Sequence, residues 1–142
     1  MNPLLRNVLG VLAGIVLGSL VNMGLLLLGS SLIPPPAGVD PTDAESIVAA
    51  MEQFEFKHFV FPFLAHALGT LAGAWVAASL AVSRKLQIGL SIGVFFLAGG
   101  IANLFLIPGP AWFAVLDVVV AYLPMGWLGG TFALGKAKGN GR

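Results

Sequence analysis

The sequence predicts an all-α integral membrane protein, folded as an antiparallel bundle of four transmembrane helices, and two observations support this. Apolar residues make up 58% of the 142-residue chain and charged residues 9%, against roughly 25% charged residues in soluble domains. The apolar residues also fall into four long runs, which are Val8–Leu28, Phe59–Val82, Leu86–Ile107 and Ala111–Leu134. Each run has about the 20 residues that a helix needs to cross the hydrocarbon core of a bilayer.

The first run follows Arg6 and is longer than the apolar region of a secretory signal peptide, so we interpret it as a retained membrane span. A long connection, residues 30–57, separates it from the second run. The other connections are too short to separate two domains. Residues 1–142 are therefore expected to form a single membrane domain.

The long connection is predicted to carry a short amphipathic helix on the surface of the bundle. Pro41 suits the first position of a helix, and Thr42 with Glu45 has the spacing of a capping box. Apolar residues then recur at helical spacing, at Ile47, Val48, Met51 and Phe54. Two interpretations remain open, a lid packed on the bundle and a surface that docks a partner or gates a ligand.

The charge pattern predicts the orientation of the spans. Six of the seven basic residues flank the runs on one side, at Arg6, Arg84, Lys85, Lys136, Lys138 and Arg142. The connection 30–57, on the other side, holds Lys57 alone among five acidic residues, Asp40, Asp43, Glu45, Glu52 and Glu55. Because basic residues concentrate on the cytoplasmic side, both termini are expected in the cytoplasm and loop 30–57 outside. A plasma membrane, of the bacterial inner-membrane kind, fits this pattern.

Small residues recur along the predicted spans at steps of four. The first span carries Gly10, Gly14 and Gly18 on one face, and the second carries Gly69 and Gly73. Small residues let membrane helices approach closely, so these stripes predict tight contacts. The contacts could lie within one bundle or between two copies of the first span.

Four polar side chains, one from each span, are predicted to lie at a similar depth in the outer half of the bundle. They are Asp117, His66, Asn22 and Asn103, and Thr70 lies one turn below His66 on the same face. At 1.5 Å per residue, His66 lies about 10 Å and Asp117 about 8 Å below the outer boundary. Asp117 is the only charged residue inside the four runs, and a carboxylate there is costly unless it has a partner or a function.

This polar layer has two interpretations. In the first, Asp117 and His66 bind a proton, an ion or a small ligand for transport or sensing, and the carboxamides of Asn22 and Asn103 donate to the carboxylate or bridge to it through water. Pro124, which cannot donate to the carbonyl of Val120, would kink the fourth span close by. In the second, the same residues are a structural latch in a non-catalytic accessory or scaffold subunit of a membrane complex.

Other chemistries find little support. The chain has no cysteine, and one deep histidine with one carboxylate is too few for a metal site. No nucleophile motif surrounds His66, so no enzyme activity and no cofactor are expected. The basic residues are few and dispersed, so nucleic acid is not an expected partner. The expected partners are the lipid bilayer and either further copies of the chain or another membrane protein, because four helices are few for a complete transport pathway.

Overall fold

The computed structural model describes residues 2–139, with side chains up to residue 135. The protein is 81% helical, and none of the described residues lies in a strand. Within this range the chain forms six α-helices, which are α1 (Pro3–Leu32), α2 (Ala44–Ala49), α3 (Val60–Leu80), α4 (Lys85–Leu106), α5 (Ala111–Val120) and α6 (Leu123–Gly139). Two short 3-10 helices, Met51–Gln53 and Phe56–Phe59, connect α2 to α3.

Four helical segments are long and apolar enough to cross a membrane, as the sequence predicts. They are Pro3–Leu32, Phe56–Leu80, Lys85–Leu106 and Ala111–Gly135, the last containing both α5 and α6. The first begins before the predicted run because Asn2 caps it, accepting a hydrogen bond of 2.9 Å from the backbone amide of Leu4. We call the end of the bundle at the 33–59 connection the loop end, and the end at the 81–84 connection the turn end.

Helix α3 packs against α1 along a seam of glycines. A Cβ atom at Gly14 would lie 2.5 Å from the carbonyl oxygen of Gly73, and one at Gly73 would lie 2.6 Å from that of Gly14. The same close approach recurs between Gly18 and Gly69. The predicted small-residue stripe of the first span therefore makes its contact inside the chain, where α3 covers it.

Helices α4 and α6 meet in a similar way, with Gly89 and Gly93 of α4 facing Gly126 of α6. Helix α3 also contacts both α4 and α6, whereas α1 and α4 make few contacts with each other. The bundle is thus built around α3. The junction between α1 and α4 is much slighter than those that α3 makes with α1, α4 and α6.

The fourth span is interrupted rather than merely kinked. Helix α5 ends at Val120 and α6 begins at Leu123, so Pro124 is the second residue of α6, where its missing N–H costs little. The backbone bonds on either side, Ala121 N to Asp117 O at 2.9 Å and Gly126 N to Tyr122 O at 2.8 Å, belong to two separate helices. The interruption lies where the sequence predicts a kink.

The surface helix differs from its prediction in its cap and in its length. Thr42 is not the cap, because its amide and hydroxyl donate to Asp40 Oδ1 at 2.8 and 2.7 Å. These bonds, the hydroxyl's first, hold the pKa of Asp40 below its ordinary value. Asp43 caps α2 instead, through its bond from Glu45 N. The helix then ends at Ala49, before Met51 and Phe54.

Candidate functional site

His66 of α3 and Asp117 of α5, which the sequence predicts at a similar depth, are in direct contact. The His66 ring nitrogen Nδ1 lies 2.8 Å from Asp117 Oδ1 and 3.0 Å from Oδ2. The carboxyl group is nearly removed from solvent, with Asp117 2% exposed, whereas 19% of the His66 side chain is accessible. The pair therefore has a closed side at the carboxyl group and an open side at the imidazole.

Tyr122 is a third member of this cluster, and the sequence reasoning missed it. Its hydroxyl donates to Asp117 Oδ2 at 2.8 Å, its ring lies 5.7 Å from the ring of His66, and the residue is 2% exposed. In a continuous helix, residues five apart point about 140° away from each other. The break after Val120 brings Tyr122 back to the side of Asp117. Pro124 two residues later was the one available signal.

The cluster sets the chemical state of His66. When Asp117 is ionised, its carboxylate can only accept hydrogen bonds, and in that state Nδ1 carries a hydrogen and donates it to Asp117. Among the described residues, Nε2 of His66 has no hydrogen-bond partner. A neutral His66 therefore presents Nε2 as an acceptor, and a protonated His66 presents it as a donor.

A cavity of about 760 Å³ opens beside this cluster, at the loop end of the bundle. It lies between α1, α3, α4 and α5, where α1 and α4 are apart. All five predicted polar residues line it together with Tyr122, namely Asn22, His66, Thr70, Asn103, Asp117 and Tyr122. The predicted layer is therefore the polar lining of a shared space.

Two of these residues present polar atoms that nothing in the described chain satisfies. The side-chain oxygen Oδ1 of Asn22 and the hydroxyl Oγ1 of Thr70 are both buried without a hydrogen-bond partner. Leaving a buried polar group unpaired costs about 1–3 kcal/mol. An unpaired polar group that lines a cavity is typically one that forms a hydrogen bond with a ligand or an ordered water.

The carboxamides of Asn22 and Asn103 make no direct hydrogen bond to Asp117, which is one of the two contacts predicted for them. The groups that bind the carboxylate directly are the His66 ring and the Tyr122 hydroxyl. The side chain of Asn103 is exposed and has no hydrogen bond within residues 2–139. It lies on the part of α4 that borders the cavity, away from the carboxylate.

Toward the turn end, Phe96 closes the cavity. Its ring packs against Gly18 and joins two apolar clusters of the core. Beyond it lies a cluster of small or aliphatic buried residues, which are Ala74, Ala77, Ala81, Ile88 and Ile92. None of these residues lines the cavity.

The long connection closes the cavity at the loop end. Ile47, Met51 and Phe54, three of the apolar residues predicted for the surface helix, line it, and so do Lys57 and His58. These contacts agree with the interpretation of the connection as a lid. Rings of the lid and of α5 then stack on one another, with Phe56 5.3 Å and Phe59 5.4 Å from Trp112.

Within residues 2–139 no group of three or more histidine, cysteine, aspartate or glutamate residues could hold a metal ion. Comparisons with protein-family models, with curated proteins and with solved structures find no match to this chain.

Proposed function

We propose that this chain is an integral protein of the plasma membrane, of the bacterial inner-membrane kind, whose four apolar segments cross the bilayer in antiparallel order. The termini lie in the cytoplasm and the loop end faces outward. The position of the basic residues supports this orientation. Arg6, Arg84 and Lys85 lie at the turn end, where Arg6 Nε donates to the carbonyl of Leu80 and Lys85 Nζ donates to that of Ala81.

The function that the geometry supports best is the binding of a small ligand in the outward cavity, for transport or sensing. One observation carries this proposal: the cavity of about 760 Å³ reaches a buried carboxylate through an accessible imidazole. Its volume falls within the roughly 300–1,000 Å³ that small-molecule sites occupy. Intramembrane ionisable groups that border a cavity are typical of binding and proton-transfer sites.

The residues of the cluster have distinct roles in this proposal. Asp117 supplies the negative charge, and Tyr122 and His66 hold its carboxylate in place. His66 presents Nε2 to the ligand or to an exchangeable proton. Asn22 and Thr70 orient the ligand through their unpaired oxygens. Because Phe96 closes the single bundle below the site, a transport role requires a further conformation or a homo-oligomer.

The absence of cysteine allows a direct test of access. A membrane-impermeant thiol reagent, added outside to intact cells, should modify Thr70→Cys in the cavity wall. Ala74→Cys, one turn further along α3, is the matched control, because Ala74 is as buried as Thr70 but does not line the cavity, and it should stay unmodified. Modification of both variants, or modification of Thr70→Cys only from the cytoplasmic side, would contradict the proposal.

A structural latch is the second candidate, and the bonding of Asp117 favours it. The hydrogen bonds of its carboxyl group join α5 to α3 through His66 and to the start of α6 through Tyr122. Such a latch would hold the bundle in shape within a larger membrane complex. It leaves the cavity without a purpose, and it does not account for the unpaired oxygens of Asn22 and Thr70.

A further inference from the structure

The base of the cavity presents unpaired hydrogen-bond acceptors. Asn22 Oδ1 is an acceptor, and Nε2 of a neutral His66 is another. Thr70 Oγ1 both donates and accepts. All three belong to residues that line the cavity, and none has a partner among the described residues. A complementary ligand therefore brings a head group with several N–H or O–H donors.

The charge of the cluster selects among such head groups. With Asp117 ionised and His66 and Tyr122 neutral, the cluster carries one negative charge with no cation beside it. Two hydrogen bonds to the carboxylate spread this charge but do not cancel it. A buried charge without a counter-charge is strongly disfavoured in an apolar surrounding. A cationic head group provides both the missing charge and the missing donors.

The walls above the base indicate the body of the ligand. They are largely apolar and include aromatic and thioether side chains, among them Met23, Leu26, Phe61, Phe96, Leu104 and Phe113. Such walls favour an apolar body, and aromatic faces also attract cations. The acidic residues of loop 30–57 outnumber its basic residues five to one. Their field concentrates cations near the lid.

We propose that the cavity binds apolar organic ammonium ions, in which a protonated primary amine is carried on a hydrophobic body. This inference rests on the ligand-binding role proposed above. The three N–H groups of the ammonium bind Asn22 Oδ1, Thr70 Oγ1 and His66 Nε2, and Asp117 balances the charge through His66. The apolar body lies between α1 and α4, under the lid.

Binding of the ammonium excludes protonation of His66. A proton on Nε2 removes one acceptor and makes the cluster neutral, so a proton and an ammonium compete for one charge. The titratable groups that line the same cavity are Asp117 from α5, Tyr122 from the break, and Lys57 and His58 from the lid. Helices α1 and α4 contribute no titratable group to the lining, and their polar lining residues Asn22, Ser30 and Asn103 are uncharged. Linkage then requires amine binding to weaken as the pH falls, by up to tenfold per unit.

Calorimetric titration of the purified protein with 2-phenylethylamine tests this. The controls are 2-phenylethanol, which replaces the ammonium with a hydroxyl, and trimethyl(2-phenylethyl)ammonium, which keeps the charge but has no N–H donor. At about pH 8 the amine should bind at least about tenfold more tightly than either control, and at about pH 5.5 this advantage should shrink. Equal binding of the alcohol, or no binding of the amine, would overturn the ammonium assignment.

Three variants test which residues bind the amine. Asp117→Asn, which keeps an acceptor oxygen but removes the charge, should weaken amine binding at least about tenfold and remove its pH dependence. Thr70→Val, which keeps the shape of the side chain, should weaken binding less. Ser79→Ala is the matched control, because Ser79 Oγ is also buried without a partner but lies outside the cavity. If Asp117→Asn does not fold, Thr70→Val against Ser79→Ala decides alone, and equal affinities would reject the proposed pose.

The thiol-access experiment separates the two proposals. Modification of Thr70→Cys from outside, together with no binding of 2-phenylethylamine, would reject the ammonium class and leave the outward ligand cavity in place. An unmodified Thr70→Cys, together with no amine binding, would reject both.

Discussion

The half of the bundle at the turn end (the turn half) and the half at the loop end (the loop half) are built from the same helices but are packed differently. In the turn half, α1 and α3 touch backbone to backbone at Gly14 and Gly73, and Ala77 and Ile92 are 0% exposed. In the loop half, polar side chains border a cavity. The turn half is stabilised by close packing, whereas the loop half keeps the unpaired polar atoms of Asn22 and Thr70 beside the cavity, at a cost in stability.

The cavity is not simply a loosely packed region, because close helix contacts are also present in the loop half. The seam between α1 and α3 continues into the loop half, where Gly29 packs directly on Phe61. What changes is the fourth span, which breaks after Val120. Helix α5 makes few contacts with the other helices and is held by Asp117 and by the ring contacts of Phe113 with Phe59. The cavity therefore lies beside the break, with Asp117 before it and Tyr122 within it among the lining residues.

The largest expected effect is a loss of stability in the turn half. Gly14→Leu would force a side chain against the carbonyl oxygen of Gly73 and separate α1 from α3, which should cost more than about 3 kcal/mol. The measurement is thermal unfolding in detergent followed by size-exclusion chromatography. Gly24→Leu is the control, because a Cβ atom at Gly24 meets nothing within 4 Å. Equal unfolding temperatures for the two variants would contradict the glycine seam.

The next effect concerns the contact that holds α5. Asp117→Leu removes the acceptor of both the His66 ring and the Tyr122 hydroxyl, and should destabilise the protein by about 2 kcal/mol. Asp117→Asn keeps one acceptor oxygen and should cost about half as much. Chemical unfolding of both variants measures the difference. A cost as large for asparagine as for leucine would show that the charge itself stabilises the fold, which favours the latch over the ligand site.

A smaller effect is expected at Tyr122. Tyr122→Phe removes the hydroxyl that donates to Asp117 but keeps the ring beside His66, so it should cost about 1 kcal/mol. Tyr122→Ala also leaves a void and should cost about 3 kcal/mol or more. If Tyr122→Phe is as stable as the wild type in the same unfolding experiment, the hydroxyl does not position the carboxylate.

The smallest effect has the opposite sign. Thr70→Val replaces an unpaired buried hydroxyl with a methyl group of similar size, so it should leave the free protein as stable as the wild type or stabilise it by up to about 1 kcal/mol. Thr131→Val is a useful contrast, since the Thr131 hydroxyl donates to the carbonyl of Trp127 at 2.8 Å. A clear loss of stability in Thr70→Val would show that its hydroxyl is satisfied in the free protein and is not held ready for a ligand.

The sequence predicted the elements better than it predicted the site. Four apolar runs gave the four long helical segments because length and hydropathy are local properties of the chain. Counting residues along the spans predicted a similar depth for His66 and Asp117, and the two side chains are in contact. This counting could not identify Tyr122, whose position depends on a helix break, and the direct bond to the carboxylate predicted for Asn22 and Asn103 is made by His66 and Tyr122 instead. The depth of a residue along a helix follows from counting residues. The direction in which its side chain points cannot be counted across a break in the helix.

By itself, the sequence determined that the chain has four spans' worth of apolar helix and that a single carboxylate lies among them, because these properties need only composition and the rise of a helix. The tertiary structure alone decided which groups meet that carboxylate and that a cavity adjoins it. The physical reason is that both outcomes depend on the separation and rotation of whole helices, which are fixed by glycine contacts in one half of the bundle and by the break before Pro124 in the other.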